Sequence, residues 1–469
     1  MSEYAYTYGE ISISPYKFEK IINLKIIREL NEHAKLCIEG IICESDIDKY
    51  VEMTDDSEIV NLSVKNDDST EVLFEGIVTN ISIDADANVR TMKFEALSST
   101  ILMDITKNTQ SFQDEGTTYK GIFSDISGKY NNASIVDEVS KGNTIPGLIV
   151  QYNETDWEFC KRLASHFNSY LVPECRLGDV KFHVGIPDSP SSCNLEEFNY
   201  SIKKDLKEYR IKSKNYGGNL SEENLISYEI TSYKILNLCS KVTFKERKLC
   251  VSRIETEIVQ GVLQNKYILK DIKGISTHKV MNNEITGASL SGSILDISKD
   301  TVKVKLDIDS GGSSGSRWFP YSTVYSSPDG SGWYCMPEMG DAIRLYFPDN
   351  EEKNAFVTSS VNLESSNSGK RSDPSVKSIG TKDGKEITFN DGAVEIAGNG
   401  NMLMRLTDDG GIEIKSDKKI ILSATEDIEI NGGAKVVIQG QEGVDLKQAG
   451  TTLKIGDDVV IGGSKVNIE

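Results

Sequence analysis

Between Ser378 and Glu469 the apolar residues fall in pairs two positions apart: Ile387/Phe389, Val394/Ile396, Met404/Leu406, Ile412/Ile414, Ile420/Leu422, Ile428/Ile430, Val436/Ile438, Val444/Leu446, Leu453/Ile455, Val459/Ile461 and Val466/Ile468. A period of two predicts strands with one buried face. Consecutive pairs begin at 412, 420, 428, 436 and 444, so the chain repeats every eight residues, with Gly, Asn, Asp or Lys between the pairs. Eight residues make one strand and one corner, whereas a coil of a single-chain β-helix takes about 18 or more. Each repeat therefore supplies one face of a three-sided prism, and two further chains supply the others. This predicts an intertwined trimeric β-helix over 378–469. Its needle core is Ile412, Ile414, Ile420, Leu422, Ile428, Ile430, Val436, Ile438, Val444, Leu446, Leu453 and Ile455. An antiparallel meander with one apolar face also fits a spacing of eight. Composition separates the two readings: the stretch has no Pro, Cys, His, Tyr or Trp, and Phe389 is its only aromatic. A narrow prism accepts small and aliphatic side chains, whereas a meander core would draw on larger ones. Burial at about 25 cal/mol per Å² is then gained only on trimer formation, so this segment is predicted not to fold as a monomer.

Residues 363–377, LESSNSGKRSDPSVK, are rich in Ser and charge and read as a linker. Ahead of it, 284–362 reads as five short strands: ITGASLSGSILDI, TVKVKLDID, RWFPYSTVY, GWYCMP and DAIRLYF followed by NAFVTSSV. Turn-rich segments separate them, and a small closed barrel of the OB type is their natural container. The earlier part of the chain is mixed. Alternating runs such as KLCIEGIIC and VLFEGIVTNISI predict a β-barrel over 1–110. Over Thr155–Leu171 the residues Trp157, Cys160, Leu163, Ala164, Phe167 and Leu171 recur at helical steps, with Thr155 or Asp156 placed to cap the first turn. This marks 111–205 as an α/β insert. The runs EYRIKS, LISYEITSYKILNL, KVTFKER, CVSRIETEIVQGVL and KYILK predict a second barrel over 206–283.

The chain has 469 residues, room for about three domains at roughly 150 residues each. Its 52 Lys and Arg against 72 Asp and Glu give a net charge of −20, which argues against a nucleic-acid grip or a basic membrane-surface protein. No signal peptide is read at the N-terminus, and no apolar run approaches the roughly 20 residues that span a bilayer, so synthesis in the cytoplasm is expected. Eight cysteines are scattered without CxxC spacing and read as buried free thiols.

Chemistry is sparse. His166 lies near Cys160 and Cys175 in sequence, but a polar helix position accounts for it, with His183 on a separate strand. HExxH, GxSxG, P-loop and zinc spacings are absent. Asp349-Asn350-Glu351-Glu352 lacks the alternate-ligand pattern of a calcium loop and reads as a solvated turn. No catalytic, cofactor or metal site is therefore expected. A glycosidase pair of acids distant in sequence is the competing possibility, which would make the chain a carbohydrate- or peptidoglycan-acting β-helix enzyme.

VKVKLDID (302–309), Arg317-Trp318 and GSGWYCMPEMGDAIRLYFPDNEEKNAFVTSSV (330–361) resemble the OB-fold signature of the VgrG spike proteins of type VI secretion and of equivalent phage-tail spikes. Within it Trp333, Pro337, Gly340 and Asp341 match the gly-trp and pro-x-x-gly-asp positions. ETDWEFCKRLASHFNSYL (154–171) is similar to the hub segment of the same family, the late-control D type. The resemblance implies a non-enzymatic homotrimeric hub-spike of a contractile injection system, assembled into a phage-like particle or secretion apparatus and delivered outward to puncture a target envelope. It further implies a PAAR-repeat tip protein at the needle end, docked on Val466, Asn467, Ile468 and Glu469, with tube and baseplate proteins at the hub. Effectors would ride non-covalently, since the linker is too short for the lysozyme that some relatives carry. The iron-binding His-x-His of some slender phage spikes is missing, because no His follows His278.

Overall fold

Alternation of buried and exposed side chains organises most of the molecule. In the strand Lys35–Ile41, Leu36 and Ile38 point inward while Lys35, Cys37 and Glu39 face outward. The computed structural model describes the chain apart from residues 1–3, 44–46, 67–68, 189–191, 216–219, 310–314, 363–366, 368, 466 and 468–469. The chain divides into two units, Met1–Leu363 and Glu364–Glu469.

The first unit holds four hydrophobic cores. Two of them are lined by a single 12-stranded sheet. Strands between Ile11 and Ser98 enclose the first, around Phe74, Phe94 and Leu62. Strands between Ser192 and Lys270 enclose the second, around Tyr267, Phe244 and Ile254. The two β-rich regions read from the sequence thus share one sheet. They join where Lys20–Glu29 runs antiparallel to Arg247–Val259, with Arg28 opposite Ile254 and an ion pair between Lys25 and Glu255.

One segment departs from the strand pattern. EYRIKS lies in the helix Leu206–Asn215. Asp205 accepts a hydrogen bond from the Glu208 N–H at 2.9 Å, and Lys212 bridges to Glu208 one turn earlier at 2.8 Å. A side-chain cap and an i,i+4 ion pair outweigh an alternation only six residues long. Lys212 also donates to the Gly274 carbonyl at 2.7 Å, which fixes the helix against the second core.

The third core belongs to the insert. Helices Tyr119–Ser127 and Asp156–Ser165 pack with the three-stranded sheet Leu171–Pro173, Lys181–Val184 and Ser134–Asp137 around Trp157, Phe159, Phe123 and Phe182. Thr155 caps the second helix: its hydroxyl accepts from the Glu158 N–H at 3.0 Å and the Glu158 carboxylate accepts from the Thr155 N–H at 2.9 Å. The insert begins slightly before residue 111, since Lys107–Phe112 pairs with Ile149–Thr155.

The fourth core fills a five-stranded barrel built from Ser289–Ser298, Thr301–Leu306, Trp318–Pro320, Ala342–Tyr346 and Phe356–Ser360. The sheet closes on itself through a parallel bridge between Tyr321 and Val357, where the Ser322 N–H donates to the Val357 carbonyl at 2.7 Å. GWYCMP, read as a strand, is instead part of an excursion between the third and fourth strands, and Phe356–Ser360 takes the place expected for it. Its residues Trp333, Tyr334 and Cys335 are exposed and only Met336 and Pro337 turn inward, so the stretch lacks the alternating buried face of a ladder strand.

The second unit is a single layer. Lys377–Gly380, Glu386–Asn390, Ala393–Ala397, Leu403–Thr407 and Gly411–Lys415 form an antiparallel meander, and Val444–Gln448, Thr451–Ile455 and Val459–Gly462 form another. Within one chain the strands flanking the eight-residue repeats pair as antiparallel meanders. Among the described residues no strand lies between Lys415 and Val444, so Ile420, Leu422, Ile428, Ile430, Val436 and Ile438 sit outside any ladder.

Candidate assembly surfaces

The register of the second unit gathers its apolar residues on one face. Ile387 stands opposite Ile396, Ile396 opposite Met404, and Met404 opposite Ile414; Phe389, Val394, Leu406 and Ile412 align in the same way. Residues directly opposite in antiparallel strands, and those two apart along a strand, project from the same face. The second meander repeats this with Leu446, Leu453 and Ile461, and with Val444, Ile455 and Val459. Among the described residues that face has nothing over it: Ile412 is 69% exposed, Ile414, Leu446 and Ile455 are also exposed, and Val444 and Leu453 are partly so; between the two meanders, outside any ladder, Ile420, Leu422, Ile428, Ile430, Val436 and Ile438 are exposed as well. An apolar patch of this extent marks an interaction surface. Of the residues expected to dock a tip protein, Asn467 is exposed, while Val466, Ile468 and Glu469 lie outside the described residues.

The signature residues of the barrel form a turn. Gly340 has φ of +89° and donates its N–H to Ile294 at 2.9 Å, while the Asp341 carboxylate accepts from the Glu338 N–H at 2.9 Å. The turn after Pro337 thereby aims Ala342–Tyr346 into the barrel, and the positive φ explains the glycine. Trp333 sits apart from this turn. Its N–H donates to the Tyr325 carbonyl at 2.8 Å and its carbonyl accepts from the Thr323 hydroxyl at 2.6 Å, leaving the indole in an exposed aromatic group with Tyr325 and Tyr334.

A buried junction that no motif announced joins insert and barrel. Arg162 is 2% exposed. Its guanidinium holds Glu154 through Nε and Nη2, both at 2.8 Å, and Glu352 through Nη1 at 2.9 Å. The two carboxylates keep Arg162 charged despite burial. Leu148 and Val150 of the insert enter the barrel core, and Asp309 of the barrel accepts from the Ser111 N–H at 2.8 Å and its hydroxyl at 2.6 Å. The acidic turn is thus structural: Glu352 serves Arg162, and Asp349 accepts from the Glu351 N–H at 2.8 Å and the Asn354 amide at 2.8 Å. A buried Arg with two acids, one of them 190 residues away, has no local signature.

Titratable groups serve packing. His166 closes the end of its helix and faces the Tyr119 hydroxyl at 2.9 Å; burial, with the charges of Lys279 and Arg162, lowers its pKa to about 3. His33 lies on Trp157, with Thr100 at 2.8 Å and Asp104 at 3.3 Å, and burial depresses it too. His183 meets Glu138 at 3.2 Å. The cysteines are free; Cys160, Cys175, Cys239 and Cys250 are buried as expected, but Cys43 and Cys335 are exposed because each lies in a loop segment. Among the described residues no group of three or more His, Cys, Asp or Glu is arranged to hold a metal, and no helix is long and apolar enough to cross a membrane.

A family model for the Alg8 N-terminal domain matches residues 57–195, a span that runs from the strand Ile59–Lys65 through the insert and contributes residues to all four cores. No curated protein matches. Among solved structures, the E. coli c3393 protein, a component of the type VI secretion system with structural similarity to the T4 bacteriophage tail proteins gp27 and gp5, superposes with a TM-score of 0.51 at 11% identity, covering 75% of this chain and 99% of that one. The lidded Francisella PdpA-VgrG complex gives a TM-score of 0.56 at 11% identity over 86% of this chain and 79% of that one, and the lidless form gives 0.55 at 11% over 84% and 93%. At this identity the likeness is one of fold, shared with a type VI secretion component and with a PdpA-VgrG complex.

Proposed function

We propose that the chain is the subunit of a homotrimeric hub-spike in a contractile, phage-tail-like injection or secretion apparatus. The observation that carries this reading is the bare apolar face of the two meanders of the second unit, aligned strand by strand, with exposed apolar pairs repeating every eight residues between them. One sheet layer with an uncovered apolar face requires another layer, and three copies of the same chain supply it without a further gene product. In the trimer the octads pair between chains. The pairs that lack a ladder in one chain, Ile420/Leu422 to Val436/Ile438, then gain one.

The first unit is the hub and the five-stranded barrel is its OB-type neck, a reading supported by the 3-2-1-4-5 strand order and its parallel closure. Tube and baseplate proteins meet the hub, a PAAR-type protein caps the needle near Asn467, and effectors ride without covalent attachment. The work is mechanical: the Arg162 junction carries load between insert and barrel, and a closed ladder resists fraying. Negative-stain imaging of the full chain tests this. Particles with a threefold hub and a thin rod support it, and compact single-chain particles contradict it.

A further inference from the structure

Arg28 is a buried cation with no counter-ion. It lies on the strand Lys20–Glu29 at the seam of the 12-stranded sheet, only 4% exposed. Its Nε is buried without a hydrogen-bond partner, and among the described residues no carboxylate or carbonyl engages the guanidinium. Water solvates a guanidinium well, so burying one unpaired is costly, and native proteins pair such groups or coordinate them. The side chain borders a cavity of 230 Å³ between the two sheet cores and the insert, whose walls include Glu174, Cys175, His183 and Ser240.

The wall's own charges are engaged elsewhere. Glu174 accepts from the Arg176 N–H at 2.9 Å and its Nε at 3.2 Å, and His183 faces Glu138. Ser240 accepts from the Asn237 N–H at 3.1 Å, which leaves its hydroxyl proton free to donate into the cavity. The nearby acid Glu197 is also buried with both oxygens unpartnered, so it does not satisfy Arg28 either. At about 30 Å³ per water, the cavity holds several waters, or one small oxyanion and its hydration.

We propose that this cavity is a binding site for a small oxyanion, phosphate or carboxylate, held by the guanidinium fork of Arg28 with the Ser240 hydroxyl as a second donor. A planar guanidinium matches two oxygens of such an anion at once, and charge-assisted bonds from a buried donor are strong. The site goes beyond the spike reading and does not depend on it. The chain's net charge of −20 does not gather anions in general, so a saturable response depending on one Arg identifies the cavity.

The test uses the full-length protein at constant ionic strength, titrated with sodium phosphate and separately with sodium malonate, with unfolding temperature and calorimetric binding as readouts. A saturable rise in unfolding temperature with either anion is expected. Arg28→Met should abolish it, and Arg28→Lys should weaken binding by about tenfold, since a lysine cannot reproduce the fork. The larger response, to phosphate or to malonate, identifies the preferred oxyanion. Should Arg28→Met not fold, Arg28→Lys and Ser240→Val carry the comparison. No saturable response to either anion, or a response unchanged in these variants, overturns the site and leaves Arg28 to be balanced by water or Glu197.

Discussion

Arg162 donates from Nη1 to Glu352 at 2.9 Å across 190 residues of sequence, and this contact ties the insert helix to the turn before the barrel's last strand. Arg162 also keeps a two-point grip on Glu154, so the two acids are unequal. Removing Glu352 with Glu352→Ala leaves one pair intact and should cost about 1–3 kcal/mol. Arg162→Ala strands two carboxylates in a region excluded from water and should cost about 3–5 kcal/mol. Urea denaturation followed by tryptophan fluorescence measures both. Equal and negligible losses would show that the junction bears no load.

His166 sets a pH dependence whose sign is fixed by its burial. Its pKa lies at about 3 in the fold against an ordinary value of 6.5, so between those limits the unfolded chain binds a proton there that the folded chain does not. Its contribution is present in full above pH 6.5 and is lost as the pH falls, at about 1.4 kcal/mol per unit for one proton. His33, also depressed, acts in the same direction. Unfolding free energies from pH 6.5 down to 5 should therefore fall less steeply for His166→Gln than for the wild type. Parallel slopes would mean that His166 is protonated in the fold.

On the trimeric reading the needle face is buried, which makes a substitution there decisive. Ile428 is exposed in the single chain, so Ile428→Asp should leave the first unit folded. In a trimer it places three carboxylates where the chains converge, at a cost of several kcal/mol, roughly, for each unpaired charge. Size-exclusion chromatography should show loss of the trimer or of soluble protein. Trimer in normal yield would remove Ile428 from the interior.

Periodicity proved legible where each element answers to its own residues. The Thr155-capped helix starts where expected, because the cap, Glu158 and the apolar steps of three and four all agree, but it ends at Ser165, short of Phe167 and of Leu171, which begins a strand. The β character of 284–362 was equally plain. EYRIKS misled because Asp205, one residue beyond the helix it caps, decides the local structure. GWYCMP misled because its aromatics face outward, and period two does not say whether a strand has a neighbour. The shared 12-stranded sheet, the Arg162 junction and the unpaired Arg28 depend on contacts across large sequence separations, to which no local pattern refers. For 378–469 the sequence shows an apolar face and its repeat; which chain covers that face is a property of the assembly.

The mass of the full-length chain in solution tests the central claim most directly, because the apolar face of the second unit has no cover within one chain. Light scattering coupled to gel filtration, or analytical ultracentrifugation at micromolar concentration, should give three times the 51.8 kDa chain mass, without dissociation on dilution. A stable, monodisperse species at 51.8 kDa would contradict the trimeric spike.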